Sequence, residues 1–218
     1  MTCKVCLSVM IDDNANVDQL IKQIVTKKPD LVEFRLDKLR EARLLEEIGH
    51  KKSFPAIATD KSNRGPLMTL ELLSQAALAG FELVDVELAS SESTVRQLKS
   101  KGAEIILSFH DYSRTPSTRE LMKVLNEERK AGGDICKIVT TANKAHDNLT
   151  ILDFVEDEAA NTRLVSFAMG THGIPSRVLS PLFGAEFTFA AISHESGTAD
   201  GQLSIDELRS AWQILGVQ

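Results

Sequence analysis

Two rhythms alternate along the chain. Short apolar runs rich in β-branched residues recur at positions 5–10, 31–36, 56–59, 83–88, 104–109, 135–140, 164–168 and 187–192. Between most of them lie stretches with helical spacing. Val17, Leu20, Ile21, Ile24 and Val25 fall on one helical face, and Ile205, Leu208, Trp212 and Leu215 mark the last such stretch. Local signals support the boundaries. Ser204 and Glu207 form a capping box before the last helix. Thr115-Pro116 precedes a helix, with the proline suited to its first turn. Gly80, Gly102 and Gly132-Gly133 follow helical runs, where a left-handed cap favours glycine. The pattern predicts eight strands and about eight helices in alternation.

Alternation of this kind calls for a parallel sheet with helices outside it. Eight units in 218 residues come to about 27 residues each, near the size of a βα unit. The expected fold is a compact α/β (β/α)8 TIM barrel, a single domain over residues 1–218 with no linker dividing it. An open doubly wound sheet is the alternative, but it would want a glycine-rich phosphate loop after an early strand, and neither GxGxxG nor GxxxxGK[ST] occurs.

Composition narrows the function classes. The chain has 31 acidic and 25 basic residues, a net charge of −6, which argues against a nucleic-acid or anionic-membrane surface. No apolar run reaches the ~18–20 residues that span a bilayer. The N-terminus lacks the basic and apolar regions of a signal peptide, so a cytoplasmic protein is expected. Cys3, Cys6 and Cys136 read as free thiols in a reducing compartment, since the CxxC of Cys3 and Cys6 has no second half to complete a zinc site. The five histidines show no metal-ligand spacing, so neither a metal nor a cofactor is assigned.

A barrel keeps its chemistry at the C-terminal strand ends, which directs attention to the polar residues there. Lys137 interrupts the apolar run Ile135-Cys136-Lys137-Ile138-Val139. A desolvated lysine can present a neutral amine that attacks a carbonyl, or it can simply pair with an interior carboxylate. His110 closes the fifth strand, where an acid/base group is useful. Glu33, Arg35 and Asp37 alternate with Val32, Phe34 and Leu36, which puts all three charges on one strand face. Asp85 and Glu87 also share a face. Arg177 and Lys61 are candidate anion clamps. Residues 197–202 read as a loop with hinge glycines and with Thr198 and Gln202 as hydrogen-bonding groups.

Assembled in order, these segments resemble type I 3-dehydroquinate dehydratase. Glu33-Phe34-Arg35-Leu36-Asp37, Asp85-Val86-Glu87-Leu88, Ser108-Phe109-His110-Asp111-Tyr112 with Thr115-Pro116, Lys137-Ile138, Met169-Gly170 with Ser176-Arg177, and Ala199-Asp200-Gly201-Gln202 are similar to the family's successive motifs. The resemblance implies a hydro-lyase of the shikimate pathway that converts 3-dehydroquinate to 3-dehydroshikimate. It implies Lys137 as the imine-forming residue and His110 as general acid/base. Ser8, Glu33, Phe34, Arg35, Lys61, Arg177, Thr198 and Gln202 are implied as substrate-binding, with Asp37, Glu87 and Met169 in support. No cofactor is implied. The implied partner is a small carboxylate substrate, and the family is often homodimeric.

Two departures stand out. Thr59-Asp60-Lys61-Ser62 places Lys61 where the family has arginine, and Asn63-Arg64-Gly65-Pro66 lacks the glutamate that orients the family's histidine. Glu87 is the expected substitute. The loop carries Asp200 where the family favours proline, and Ser196-Gly197 look like extra length. Another Schiff-base barrel lyase such as a class I aldolase, or a catalytically silent metabolite-binding barrel, are the alternatives. Four cations, Arg35, Lys61, Lys137 and Arg177, are expected to converge on one barrel mouth.

Overall fold

Each apolar run forms a strand buried on both faces, as a parallel sheet wrapped in helices requires. A computed structural model of the chain describes residues 3–90, 92–194, 197 and 200–217. The strands are β1 (Val5–Asp12), β2 (Leu31–Lys38), β3 (Ala56–Thr59), β4 (Leu83–Glu87), β5 (Glu104–His110), β6 (Ile135–Thr141), β7 (Leu164–Met169) and β8 (Thr188–Ala190). The helices between and after them are α1 (Val17–Lys27), α2 (Arg43–Lys51), α3 (Pro66–Leu78), α4 (Glu92–Lys99), α5 (Thr118–Lys130), α6 (Asp147–Glu158), α7 (Ile174–Leu179) and α8 (Ile205–Ile214). All paired strands are parallel, in the order β7-β6-β5-β4-β3-β2-β1-β8. The ring is nearly closed between β7 and β8, where the amide of Glu186, just before β8, donates to the carbonyl of Leu164 at 2.8 Å. The fold is a single (β/α)8 TIM barrel, as the alternation predicts.

Strand parity sorts side chains between two cores. Inside the barrel floor lie Cys6, Leu31, Ile57, Leu83, Ile106 and Ile135, an apolar plug. Between strands and helices lies the larger core, to which Phe34 belongs, its ring 5.6 Å from Phe81 in an edge contact. Cys3, Cys6 and Cys136 are all free, the last two buried as small apolar groups. No helix among the described residues is long and apolar enough to cross a membrane.

Helix ends mostly follow their local signals. Ser204 Oγ accepts from the Glu207 amide, and the Glu207 carboxylate accepts from the Ser204 amide, closing the expected box on α8. At α5 the structure differs. Ser117 is the cap and forms its own box with Glu120, so Pro116 precedes the helix rather than opening it. The seventh helix has only six residues between two 3-10 turns, too short for a periodic stripe to announce it.

Candidate active site

Above the apolar floor, the next interior layer is polar. Ser8, Glu33, Thr59, Asp85, Ser108 and Lys137 are all buried there. A charge in such a place needs partners. The Glu33 carboxylate accepts from Ser8 Oγ, and from Thr59 Oγ1 at 2.9 Å. Lys137 Nζ donates to Asp85 Oδ2 at 2.8 Å and stands 3.9 Å from Glu33 Oε1. Its ammonium also lies 4.5 Å from the centroid of the Phe189 ring. Burial works to raise the Asp85 pKa, but Lys137 and Lys61 outweigh it and hold the carboxyl well below the usual carboxylate range.

One layer higher, Lys61 Nζ donates to Asp85 Oδ1 at 2.6 Å, Glu87 Oε1 at 2.5 Å and Ser108 Oγ at 2.8 Å. Burial disfavours that charge, but the two carboxylates prevail and raise its pKa. Ser108 is the register partner of Lys137, so His110 sits two residues, roughly 7 Å, further toward the strand end. Glu87 Oε1 is 3.1 Å from His110 Nδ1, though off the direction a hydrogen bond needs. The arrangement leaves Nε2 as the other ring nitrogen for chemistry. Despite partial burial, His110 and Lys61 hold the Glu87 pKa below its usual value. Tyr112 stacks on the imidazole with ring centroids 5.7 Å apart and planes 10° from parallel.

Across the cavity, Arg177 is 1% exposed. Its guanidinium lies 4.3 Å from the Phe167 ring centroid, and neither Nε nor Nη2 has a hydrogen-bond partner among the described residues. Burial pushes its pKa down to about 10, against the opposing pull of Asp200. The short α7 that presents it is fixed from three sides. Ser176 Oγ accepts from the Ala168 amide at 3.0 Å. The Ser176 amide donates to Asn148 Oδ1 at 2.9 Å. The Arg177 carbonyl accepts from Thr188 Oγ1 at 2.8 Å. Gly173 makes the tight turn possible, because a Cβ there would meet the Ala168 carbonyl oxygen at 2.4 Å. A buried, donor-rich cation held this firmly has the geometry to take a planar anion.

A cavity of about 400 Å³ joins these parts, a size suited to a small metabolite. Glu33, Arg35, Lys61, His110, Lys137, Met169, Arg177 and Gln202 all line it, so most of the expected residues come together. Ser8 touches it through Glu33. Asp37 grips Arg35 in a two-point contact, Nε to Oδ2 at 2.9 Å and Nη2 to Oδ1 at 2.8 Å, so it orients that guanidinium. Glu87 lies within 3.1 Å of His110. Thr198 lies outside the described residues. Phe34 is a correction. Strand parity turns it away from Glu33 and Arg35 into the helix-facing core, where it is wholly buried and does not line the cavity.

The four cations do converge, but the mouth is not simply cationic. Arg35 meets Asp37, while Lys61 and Lys137 meet Asp85, Glu87 and Glu33. Arg177 alone of the four lacks a carboxylate contact among the described residues. Sequence reasoning notices Asp85 beside Glu87 without giving it a role, and does not single out Thr59, Phe167, Phe189 and Tyr112 as site residues. Their signal is parity: Asp85 shares a strand face with Glu87, and Phe167 and Phe189 share the interior face of β7 and β8. Among the described residues no group of three or more His, Cys, Asp or Glu is placed to hold a metal ion.

A family model described as type I 3-dehydroquinase matches residues 5–218. The chain belongs to the type I 3-dehydroquinase family. It is 30% identical to the 3-dehydroquinate dehydratase of Shouchella clausii, over 97% of this chain and 91% of that protein. It is also 30% identical to the one from Methanocaldococcus jannaschii, over 98% of this chain and 100% of the relative. Among solved structures, the 3-dehydroquinate dehydratase of Geobacillus kaustophilus superposes with a TM-score of 0.88 at 25% identity, covering 99% of this chain and 91% of its own. That from Aquifex aeolicus gives 0.78 at 25% identity, covering 97% and 98%. This 3-dehydroquinase therefore keeps the family's barrel over nearly its whole length.

Proposed function

We propose that the site dehydrates 3-dehydroquinate to 3-dehydroshikimate, with Lys137 as the imine-forming amine and His110 as the acid/base. The observation that carries this assignment is a buried lysine across one cavity from a buried arginine, two of whose nitrogens have no hydrogen-bond partner among the described residues. Arg177 would take the substrate carboxylate and so fix the ring. The Lys137 amine then attacks the ketone, and loss of water gives a protonated imine. The imine withdraws electrons from the adjacent carbon, so His110 removes its proton at Nε2 and an enamine forms. The enamine expels the hydroxyl, which leaves as water with the proton that His110 returns. Hydrolysis of the imine frees Lys137. Glu33, Arg35 and Gln202, which line the same cavity, would bind the remaining oxygens. The same reading includes a homodimer in the cytoplasm.

The test is to incubate the protein with 3-dehydroquinate and borohydride and to map the adduct. A reduced adduct on Lys137 and a rise in conjugated-enone absorbance without borohydride are expected. Absence of both, or an adduct elsewhere, would remove the assignment.

A further inference from the structure

We infer that Lys61 is a positioning residue that couples His110 to Lys137 through their two carboxylates, rather than a ligand for the substrate. The inference rests on the reading of Lys137 and His110 given above. An ammonium has three N–H donors and no acceptor. All three of Lys61 are used, on Asp85 Oδ1 at 2.6 Å, Glu87 Oε1 at 2.5 Å and Ser108 Oγ at 2.8 Å. A substrate hydroxyl could bind it only by displacing one of them.

What those three bonds hold is more telling. Asp85 divides its oxygens, giving Oδ1 to Lys61 and Ser108, and Oδ2 to Lys137. Glu87 places one oxygen, Oε1, against both Lys61 and His110 Nδ1. Hydrogen bonds therefore run from Glu87 through Lys61 and Asp85 to Lys137, and Glu87 extends the chain to His110 by a 3.1 Å charge contact. The Glu87 side chain is 40% exposed. Without Lys61 it would be free to turn toward water and release the imidazole. Glu87 thus supplies the carboxylate that the loop after β3 lacks, and Lys61 is what makes a glutamate on β4 serve.

Charge balance gives Lys61 a second task. The groups facing it are Asp85 and Glu87 from β4, Ser108 and His110 from β5, Lys137 from β6, and Glu33 and Arg35 from β2. On its own segment Asp60 and Arg64 pair with each other at 2.8 Å, and Arg35 is committed to Asp37. When Lys137 gives up its proton to act as a nucleophile, Glu33, Asp85 and Glu87 face one remaining ammonium. That ammonium is Lys61. It keeps the carboxylates from reclaiming the Lys137 proton, and the protonated imine later restores the balance.

The experiment compares wild type, Lys61→Met and Lys61→Arg for kcat, KM and pH–rate profile with 3-dehydroquinate. Lys61→Met is expected to lower kcat at least 10-fold with KM changed less than about 3-fold, because the side chain it removes holds Asp85 and Glu87 rather than substrate. Its profile is expected to move to higher pH by at least about half a unit, since uncompensated carboxylates favour the protonated forms of their neighbours. Lys61→Arg keeps the cation and is expected to return the profile to within about 0.3 units of wild type. A KM raised 10-fold or more with an unmoved profile in either variant would overturn the inference and make Lys61 a substrate ligand. Should Lys61→Met not fold, Lys61→Arg decides through the same KM and profile readings. A wild type with neither turnover nor a borohydride adduct would instead bring down the reading of the site itself.

Discussion

Arg177 is a residue the folded protein would be easier to build without. A guanidinium buried with two nitrogens unpartnered among the described residues carries a desolvation cost that no carboxylate contact among them offsets. Stability and function should therefore move in opposite directions at this position. Arg177→Met is expected to raise the melting temperature of the free protein, while KM rises at least about 10-fold because the charge-assisted hydrogen bonds to the substrate are gone. A thermal scan and a steady-state assay on the same sample check both halves. A lower melting temperature would mean that the stack on Phe167 outweighs the cost of burial. Residues of this kind explain how far the site is legible in the sequence. Lys137 is visible as a charge within an apolar run, and Glu33 and Arg35 by their period of two. Asp85 is equally visible but its use is not, because its partners Lys61, Ser108 and Lys137 come from three other parts of the chain. Phe34 misleads because it sits inside a motif whose alternate positions face opposite ways.

At the scale of elements, strands and long helices follow from hydrophobic periodicity, whereas α7 does not. A six-residue helix cannot display a stripe, and tertiary hydrogen bonds from Asn148 and Thr188 define it. The packing of α5 on β6 holds a different kind of tension. Glu128 projects from α5 into the core beside Cys136, wholly buried, with no well-aligned hydrogen bond to either carboxyl oxygen among the described residues. Burial pushes its pKa from 4.5 up to about 9. The folded chain thus holds a proton that the unfolded chain releases above pH 4.5. The favourable contribution of this protonated group is complete below that value and falls away as the pH rises toward 9, at about 1.4 kcal/mol per unit. Glu128→Gln is expected to flatten that slope and to be more stable than wild type at about pH 9, with little difference at about pH 5. Urea titrations at the two pH values measure it. An equal effect at both would show that the carboxyl is not the titrating group.

For the whole molecule, the net charge of −6 says little about the site, where opposing charges nearly cancel and one arginine carries the preference for an anion. Exposed apolar side chains are found on α3, at Leu67, Met68 and Leu78, and at the end of α8, at Ile214 and Leu215. The last helices are the expected place for a dimer contact, and α3 adds a second. Sedimentation equilibrium is expected to give twice the chain mass, and a single-chain mass at working concentrations would remove the dimer from the proposal.

The seam between β7 and β8 divides the enzyme's labour. The proposed reacting groups, His110 and Lys137, stand on β5 and β6, where every strand is laddered to both neighbours. Arg177, the proposed carboxylate ligand, stands beside the seam on α7, and Gln202 lines the cavity from the segment after a three-residue β8. The proposed anion clamp and the proposed imine-forming lysine therefore rest on different stretches of chain. Redesign of substrate scope has a natural starting point in residues 170–202, which can be re-sculpted while the imine machinery keeps its foundations.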